Sequence, residues 1–275
     1  MIDDAMIGLV HPGEMGAAVG ACLRAAGRPV AWSGTGRSAA THERAGAAGL
    51  SDVGGLGALV PRCGVIVSVC PPYAARQQAD AVLAAGFRGC YVDANAIAPA
   101  TARHIGEAVV AAGGTFVDGG IVGPPPTRPG VARLYLSGHD AAPVAELFTG
   151  SLLDTVLVAG GPGAASALKM TYAAWSKGTL ALLLAIIETA RHEGVEDVLR
   201  AEWARSQPDV DGRARVARQS ADTKGWRWVA EMREIAATFA TADQPVGFHL
   251  AAAEVFEAAA AAGRAADQPD QPGRS

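Results

Sequence analysis

Lysine is scarce in this chain of 275 residues: only Lys169, Lys177 and Lys224 occur, and arginine supplies nearly all the positive charge. Where arginine serves as the surface cation, a remaining lysine marks a position that needs what guanidinium cannot do, which is to release a proton. Cysteine is sparse too. Cys22, Cys63, Cys70 and Cys90 form no C-x-x-C pair and sit in apolar contexts, so neither a disulfide frame nor a metal site is expected. Buried free thiols in a cytoplasmic protein are the expectation. No dense basic run appears and the net charge is -4, which argues against nucleic acid as the main partner. Residues 1–5 carry two aspartates and no cationic start, so no signal peptide is expected. The most apolar stretch, "TLALLLAIIETA", is too short to span a bilayer, is followed by "RHEG", and reads as a buried helix; no membrane partner is expected. No His/Cys/Asp cluster has metal-ligand spacing, and no serine-nucleophile elbow occurs.

What is present is a chain that is 50% hydrophobic and 18% charged, enough to bury a core in one large or two modest domains. The first half alternates. "AMIGLV", "PVAWS", "GVIVSVC" and "CYVDAN" read as strands, each followed by a helical pattern. "TFVDGG", "ARLYLSG" and "DTVLVAG" are further strands, some of them open to antiparallel pairing after the loop "GPPPTRPG". Short Val- and Ile-rich strands between helices imply a mostly parallel sheet covered on both faces. After about residue 160 the alternation stops. One long helical pattern runs from Gly163 to about Arg191, and further helices are predicted at 196–206, 210–221, 226–240 and 245–262. The polar segment from 265 to 275 is expected to be disordered.

The stretch "IGLVHPGEMG", residues 7–16, has the strand–turn–helix context of a dinucleotide-binding turn. Gly13 and Gly16 stand where the second and third glycines of G-x-G-x-x-G belong, whereas His11 replaces the first. Pro12 biases His11 toward an extended backbone. Glu14 and Met15 open the helix, the acid suiting its positive end. The alternative is a structural turn with no ligand. The second strand is followed by "SGTGRS", with no acid for a ribose hydroxyl but with Ser33, Thr35, Arg37 and Ser38. Hydroxyls beside an arginine suit a 2′-phosphate, which favours NADP(H) over NAD(H); Arg37 as a solvated loop residue is the other reading.

Four segments together resemble the β-hydroxyacid dehydrogenase superfamily, the group of 3-hydroxyisobutyrate and 6-phosphogluconate dehydrogenases, with imine reductases more distant. They are "IGLVHPGEMG", the strand and small-residue/Pro turn "VSVCPPYAA", the substrate segment "FVDGGIVGPPP", and "GAASALKMTYAAW". Within them Met15, Gly16, Asp118, Gly123, Gly163 and Lys169 match, while His11, Val122, Tyr172 and Ala173 depart. The resemblance implies an α/β Rossmann-like N-terminal domain over 1–160 and an all-α C-terminal domain over 161–264, joined by a long helix. It also implies a homodimer through the helical domain and an active site between the domains.

Under that resemblance Lys169 is the proton carrier for hydride transfer, and Tyr172, at i+3 on the same helical face, either hydrogen-bonds substrate or packs. Cofactor contacts are expected from His11, Pro12, Gly13, Glu14, Met15, Ser33, Arg37, Ser38, Cys70, Pro71, Pro72 and Asn95. Substrate contacts are expected from Asp118, Val122, Gly123, Lys177, Trp226 and His249. Lys177 has an interface as its alternative, "KGWRW" around Trp226 has interhelical packing, and His249 has a packed or capping role. The expected function is NADP-dependent oxidoreduction of a hydroxyl or carbonyl in a small polar molecule. Imine reduction on the same fold and cofactor binding without catalysis are the alternatives.

Overall fold

The computed structural model describes residues 6–266, which divide between Met170 and Thr171 into two compact units. The first unit is built on eight strands: β1 (Met6–Leu9), β2 (Val30–Trp32), β3 (Ser51–Asp52), β4 (Cys63–Ser68), β5 (Cys90–Asp93), β6 (Thr115–Val122), β7 (Arg133–Ser137) and β8 (Asp154–Leu157). Six helices alternate with them: α1 (Glu14–Ala25), α2 (Ala39–Ala47), α3 (Leu56–Leu59), α4 (Ala75–Ala84), α5 (Pro99–Ala111) and α6 (Ala141–Glu146).

The strands form one sheet in the order β3-β2-β1-β4-β5-β6-β7-β8. It is parallel from β3 to β6; β7 runs antiparallel to β6, and β8 follows β7 in parallel. Strand alternation sorts the core into two layers. Ile7, Leu9, Val65, Val67 and Val92 meet Val19 and Leu23 of α1 and Val144 of α6 on one face. Ile66, Tyr91 and Phe116 meet Val82 of α4 and Ile105 of α5 on the other. The order reverses between β1 and β4, and in such sheets the crevice beyond the strand ends at that point is where ligands bind.

The second unit is helical. It holds most of α7 (Ala164–His192), then α8 (Glu196–Ser206), α9 (Val210–Ala240) and α10 (Gly247–Ala266). The two helices expected at 210–221 and 226–240 are one. Gly225 lies inside α9 where a β-carbon would stand 3.4 Å from Phe256 O and 4.0 Å from Ala260 Cβ, so it admits α10 instead of ending the helix. Two residues of the expected tail belong to α10, and the remainder, 267–275, lies outside the described residues.

The apolar stretch read as too short for a membrane belongs to a 29-residue helix, α7, which is long and apolar enough to cross one by length and composition. The extra length comes from "AASALKMTYAAW" ahead of it, which is helical and nearly uncharged. Only 28% of its most apolar window is buried within the chain.

Candidate functional site

Beyond Leu9 the chain makes a tight turn in which Gly13 N–H donates to His11 O at 2.9 Å. Gly16 is required there, because a β-carbon on it would sit 2.1 Å from that same carbonyl oxygen. Gly13 is the N-cap of α1 and makes no side-chain cap hydrogen bond. The turn tolerates His11 because its ring lies over Gly13, whose β-carbon would come 3.3 Å from Cδ2 and 3.4 Å from Nε2. Arg37 reaches back from the β2 loop to hold it. Its Nη1 lies 3.1 Å from His11 Nδ1, and its Nη2 donates to Val10 O at 3.2 Å. Burial, then the Arg37 and Arg44 charges, push the imidazole pKa below its ordinary value.

The β2 loop is framed from behind by an acid that sequence reasoning missed. Asp52 Oδ1 accepts from Gly34 N at 3.1 Å and from Gly54 N at 2.9 Å, and Asp52 Oδ2 lies 3.5 Å from His42 Nδ1. The carboxylate stands on β3, outside the strand end where a ribose-binding acid is sought. Ser38 is committed elsewhere: its Oγ accepts from Thr41 N at 3.3 Å and caps α2. Met15 packs against the core layer, and Pro12 is buried.

A cleft of ≈ 620 Å³ opens at the switch point. His11, Ser33, Arg37, Cys70 and Pro71 line it, as expected, together with Thr35. Tyr73, inside the quoted Pro turn, also lines it, as do Leu56, Gln77 and Gln78, which lie on helical stretches with no motif to mark them; none of the four was named beforehand.

The far wall hangs on a buried polar row. Ser68, Asp93, Asp118 and Ser137 stand side by side on β4, β5, β6 and β7, each at most 1% exposed. Asn95, expected to touch cofactor, is spent within this row. Its Oδ1 accepts from Cys70 N at 2.6 Å, and its Nδ2 donates to Asp93 Oδ2 at 2.9 Å and to Ser68 Oγ at 3.1 Å. Asn95 therefore fixes the Cys70–Pro71 turn and leaves the cleft to that turn. Pro72 opens the short helical turn that follows and is not among the cleft-lining residues. Burial pushes the Asp93 carboxyl up to about 7 and the Cys70 thiol to about 12, so Cys70 is no nucleophile at neutral pH.

Asp118 has a capping role in place of the expected substrate contact. Its Oδ2 accepts from Ser137 Oγ, Gly163 N and Ser166 N, each at 3.0 Å, and its Oδ1 accepts from Ser166 Oγ at 2.5 Å. These donors hold the start of α7 against β6. Gly120 lets the helix come close, since a β-carbon there would meet Lys169 Cβ at 2.8 Å and Ala165 O at 2.9 Å. The cap and the glycine thus set Lys169, half-buried, at the same strand-end edge of the sheet as the glycine turn and Cys70. Val122 is buried in the sheet opposite Arg133, and Gly123, at φ 115°, faces Val131 O where a β-carbon would clash at 2.2 Å. Both are structural positions, so the substrate role expected of them is not supported.

In the second unit Lys177 is ion-paired with Glu231, with its Nζ 5.6 Å from the Trp228 ring centroid. The anion-binding role expected of Lys177 gives way to this internal pair. His249 is buried against Phe239 with ring centroids 4.2 Å apart, in keeping with the packed role that was its alternative. Trp226 is 54% exposed beside Arg227, and Tyr172 is 51% exposed on α7.

The solved structure of MTH1747, a conserved protein of unknown function with structural similarity to 3-hydroxyacid dehydrogenases, matches at TM-score 0.68 and 29% identity, over 96% of this chain and 100% of that one. The chain has the 3-hydroxyacid dehydrogenase fold. A 3-hydroxyisobutyrate dehydrogenase from Mycobacterium tuberculosis, solved with L-serine, shares this dehydrogenase fold at TM-score 0.67 and 19% identity, over 94% of each chain. A reductive aminase from Aspergillus terreus, solved with NADPH and ethyl-5-oxohexanoate, does so at TM-score 0.59 and 19% identity, over 94% of this chain and 95% of that one. Within the helical unit, residues 190–259 match the family described as a domain of unknown function, DUF1932. No curated protein matches the sequence. The resemblance drawn from the four motifs is therefore matched by the fold, and the structural neighbours include a dehydrogenase and a reductive aminase.

Proposed function

We propose that the chain is an NADP(H)-dependent oxidoreductase acting on a hydroxyl or carbonyl group of a small polar molecule. The observation that carries this reading is the switch-point cleft, lined by His11 of the glycine turn and by Ser33, Thr35 and Arg37 of the β2 loop. Asp52, the nearby acid, is turned onto two backbone N–H groups, so the loop presents a cation and hydroxyls to a 2′-phosphate. NADP(H) bound in another protein of the same fold adds support.

The bound nicotinamide would supply the hydride chemistry. The chain's own task is to align substrate, exclude water and move one proton. Lys169 is the group for the proton, accepting it from a hydroxyl on oxidation and donating it to a carbonyl oxygen on reduction. Asn95 keeps the Cys70–Pro71 turn in place beneath the ring.

Titration with NADPH and NADH, read by nicotinamide fluorescence, tests the cofactor half. NADPH is expected to bind at micromolar concentration, and Arg37→Ala to weaken it roughly 10- to 100-fold, as for loss of hydrogen bonds to a charged group, with a smaller loss for NADH. Absence of binding to either nucleotide in the native protein overturns the reading.

A soluble, cytoplasmic homodimer formed through the helical unit completes the proposal. Trp175, Leu182, Val198, Trp226 and Phe248 are each more than half exposed in the single chain, an apolar surface that a second copy would cover. Light scattering at micromolar concentration is expected to give twice the chain mass; a monomer mass sinks the dimer.

A further inference from the structure

The residue that breaks the glycine pattern is the one the cleft uses in a way no motif describes. We infer that His11 is a direct ligand of the cofactor's diphosphate, acting through Nε2–H, and that Arg37 is the positioning residue that fixes it in that tautomer. This inference rests on the cofactor reading above and adds to it.

The argument starts from the Arg37 contact. A guanidinium has five N–H donors and no acceptor, so the 3.1 Å approach of Nη1 to His11 Nδ1 is a hydrogen bond only if Nδ1 accepts. A neutral imidazole that accepts at Nδ1 must carry its proton on Nε2. Burial and the neighbouring Arg37 and Arg44 charges favour that neutral ring.

Position supplies the second half. The Nε2 edge lies over Gly13, 3.4 Å from where that residue's β-carbon would be. Gly13 occupies the place of the second fingerprint glycine, the one whose missing side chain lets a pyrophosphate approach the backbone. The Nε2 edge therefore occupies the space over the Gly13 backbone, at the start of α1. His11 itself lines the cleft. A side chain at the first glycine position thus adds a donor that glycine lacks.

Arg37 can serve both ends of the cofactor. It commits one N–H to His11 and one to Val10 O, which leaves three for a 2′-phosphate. The 2′-phosphate subsite and the diphosphate subsite are joined through one guanidinium.

Two ligands separate the roles: NADPH, which has both phosphate sites, and adenosine 2′-monophosphate, which has only the first. His11→Ala is expected to weaken NADPH roughly 10- to 100-fold and to leave adenosine 2′-monophosphate unchanged, while Arg37→Ala weakens both. His11→Gln, which retains an N–H donor at the same reach, is expected to recover part of the loss. Nitrogen-15 spectra of the imidazole in the free protein are expected to show the Nε2–H tautomer, giving way to a tautomer mixture in Arg37→Ala. NADPH affinity unchanged in a folded His11→Ala protein, or an Nδ1–H tautomer in the native one, overturns the inference while the cofactor reading stands. Failure of the native protein to bind NADPH at all overturns both.

Discussion

Replacement of Lys169 by alanine is expected to lower turnover by roughly 10²- to 10⁴-fold, the range for loss of a positioned general acid or base, with NADPH affinity kept. Lys169→Arg is expected to fall nearly as far, since it keeps the charge but cannot release a proton at working pH. Gly120 accepts the stem of the side chain, and the Asp118 cap sets where α7 begins and hence where its sixth residue emerges. The assay uses whichever carbonyl or imine compound the native protein reduces fastest, with fluorescence titration run in parallel. Loss of turnover with binding intact is the expected pair. Full turnover in Lys169→Ala removes Lys169 from the chemistry, and no turnover by the native protein on any hydroxy acid, ketone or imine favours cofactor binding without catalysis.

Asp118→Ala is expected to cost on the order of 3–5 kcal/mol, the cost of breaking a buried charged network by removing one partner. Four donors converge on this fully buried carboxylate, two from serine hydroxyls and two from the backbone at the start of α7. Alanine leaves all four buried without that acceptor. Whole domains are stable by only about 5–15 kcal/mol, so this variant loses a large share of its margin. Chemical denaturation checks it: a midpoint like that of the native protein would show that the hydroxyls and N–H groups find water or one another. Asp118→Asn, which keeps one carbonyl oxygen, is expected to fall between.

These two residues show what could and could not be read from the sequence. Runs such as "GVIVSVC" alternate between two apolar layers, and burial on both faces leaves few polar positions, so seven strands and their order of appearance were legible. Ser51–Asp52 was not, because a two-residue polar edge strand has no apolar period to see. The break expected between residues 221 and 226 is absent, because composition does not record that α10 lies against Gly225. One side of the cleft was legible, since Ser33 and Arg37 carry their chemistry in local spacing. What stayed hidden is long-range pairing. Asp118 sits in a segment that resembles a substrate motif, yet its partners Gly163 and Ser166 lie more than forty residues away. Lys177 reads as an anion ligand until α9 supplies Glu231. His11 looks like a defect in the turn until Arg37, 26 positions on, explains it.

The four thiols have a consequence for how the protein meets oxidants. All are free, and burial raises each of them, Cys63 and Cys90 to about 11 and Cys70 to about 12. Peroxide and alkylating reagents attack the thiolate, which at pH 7 is then about one molecule in 10⁴ or fewer at these three sites. A sulfur stands in the wall of the cleft, yet the redox state of the surroundings has almost no handle on it. On the proposed reading, electrons would enter and leave through the bound nucleotide and not through these thiols.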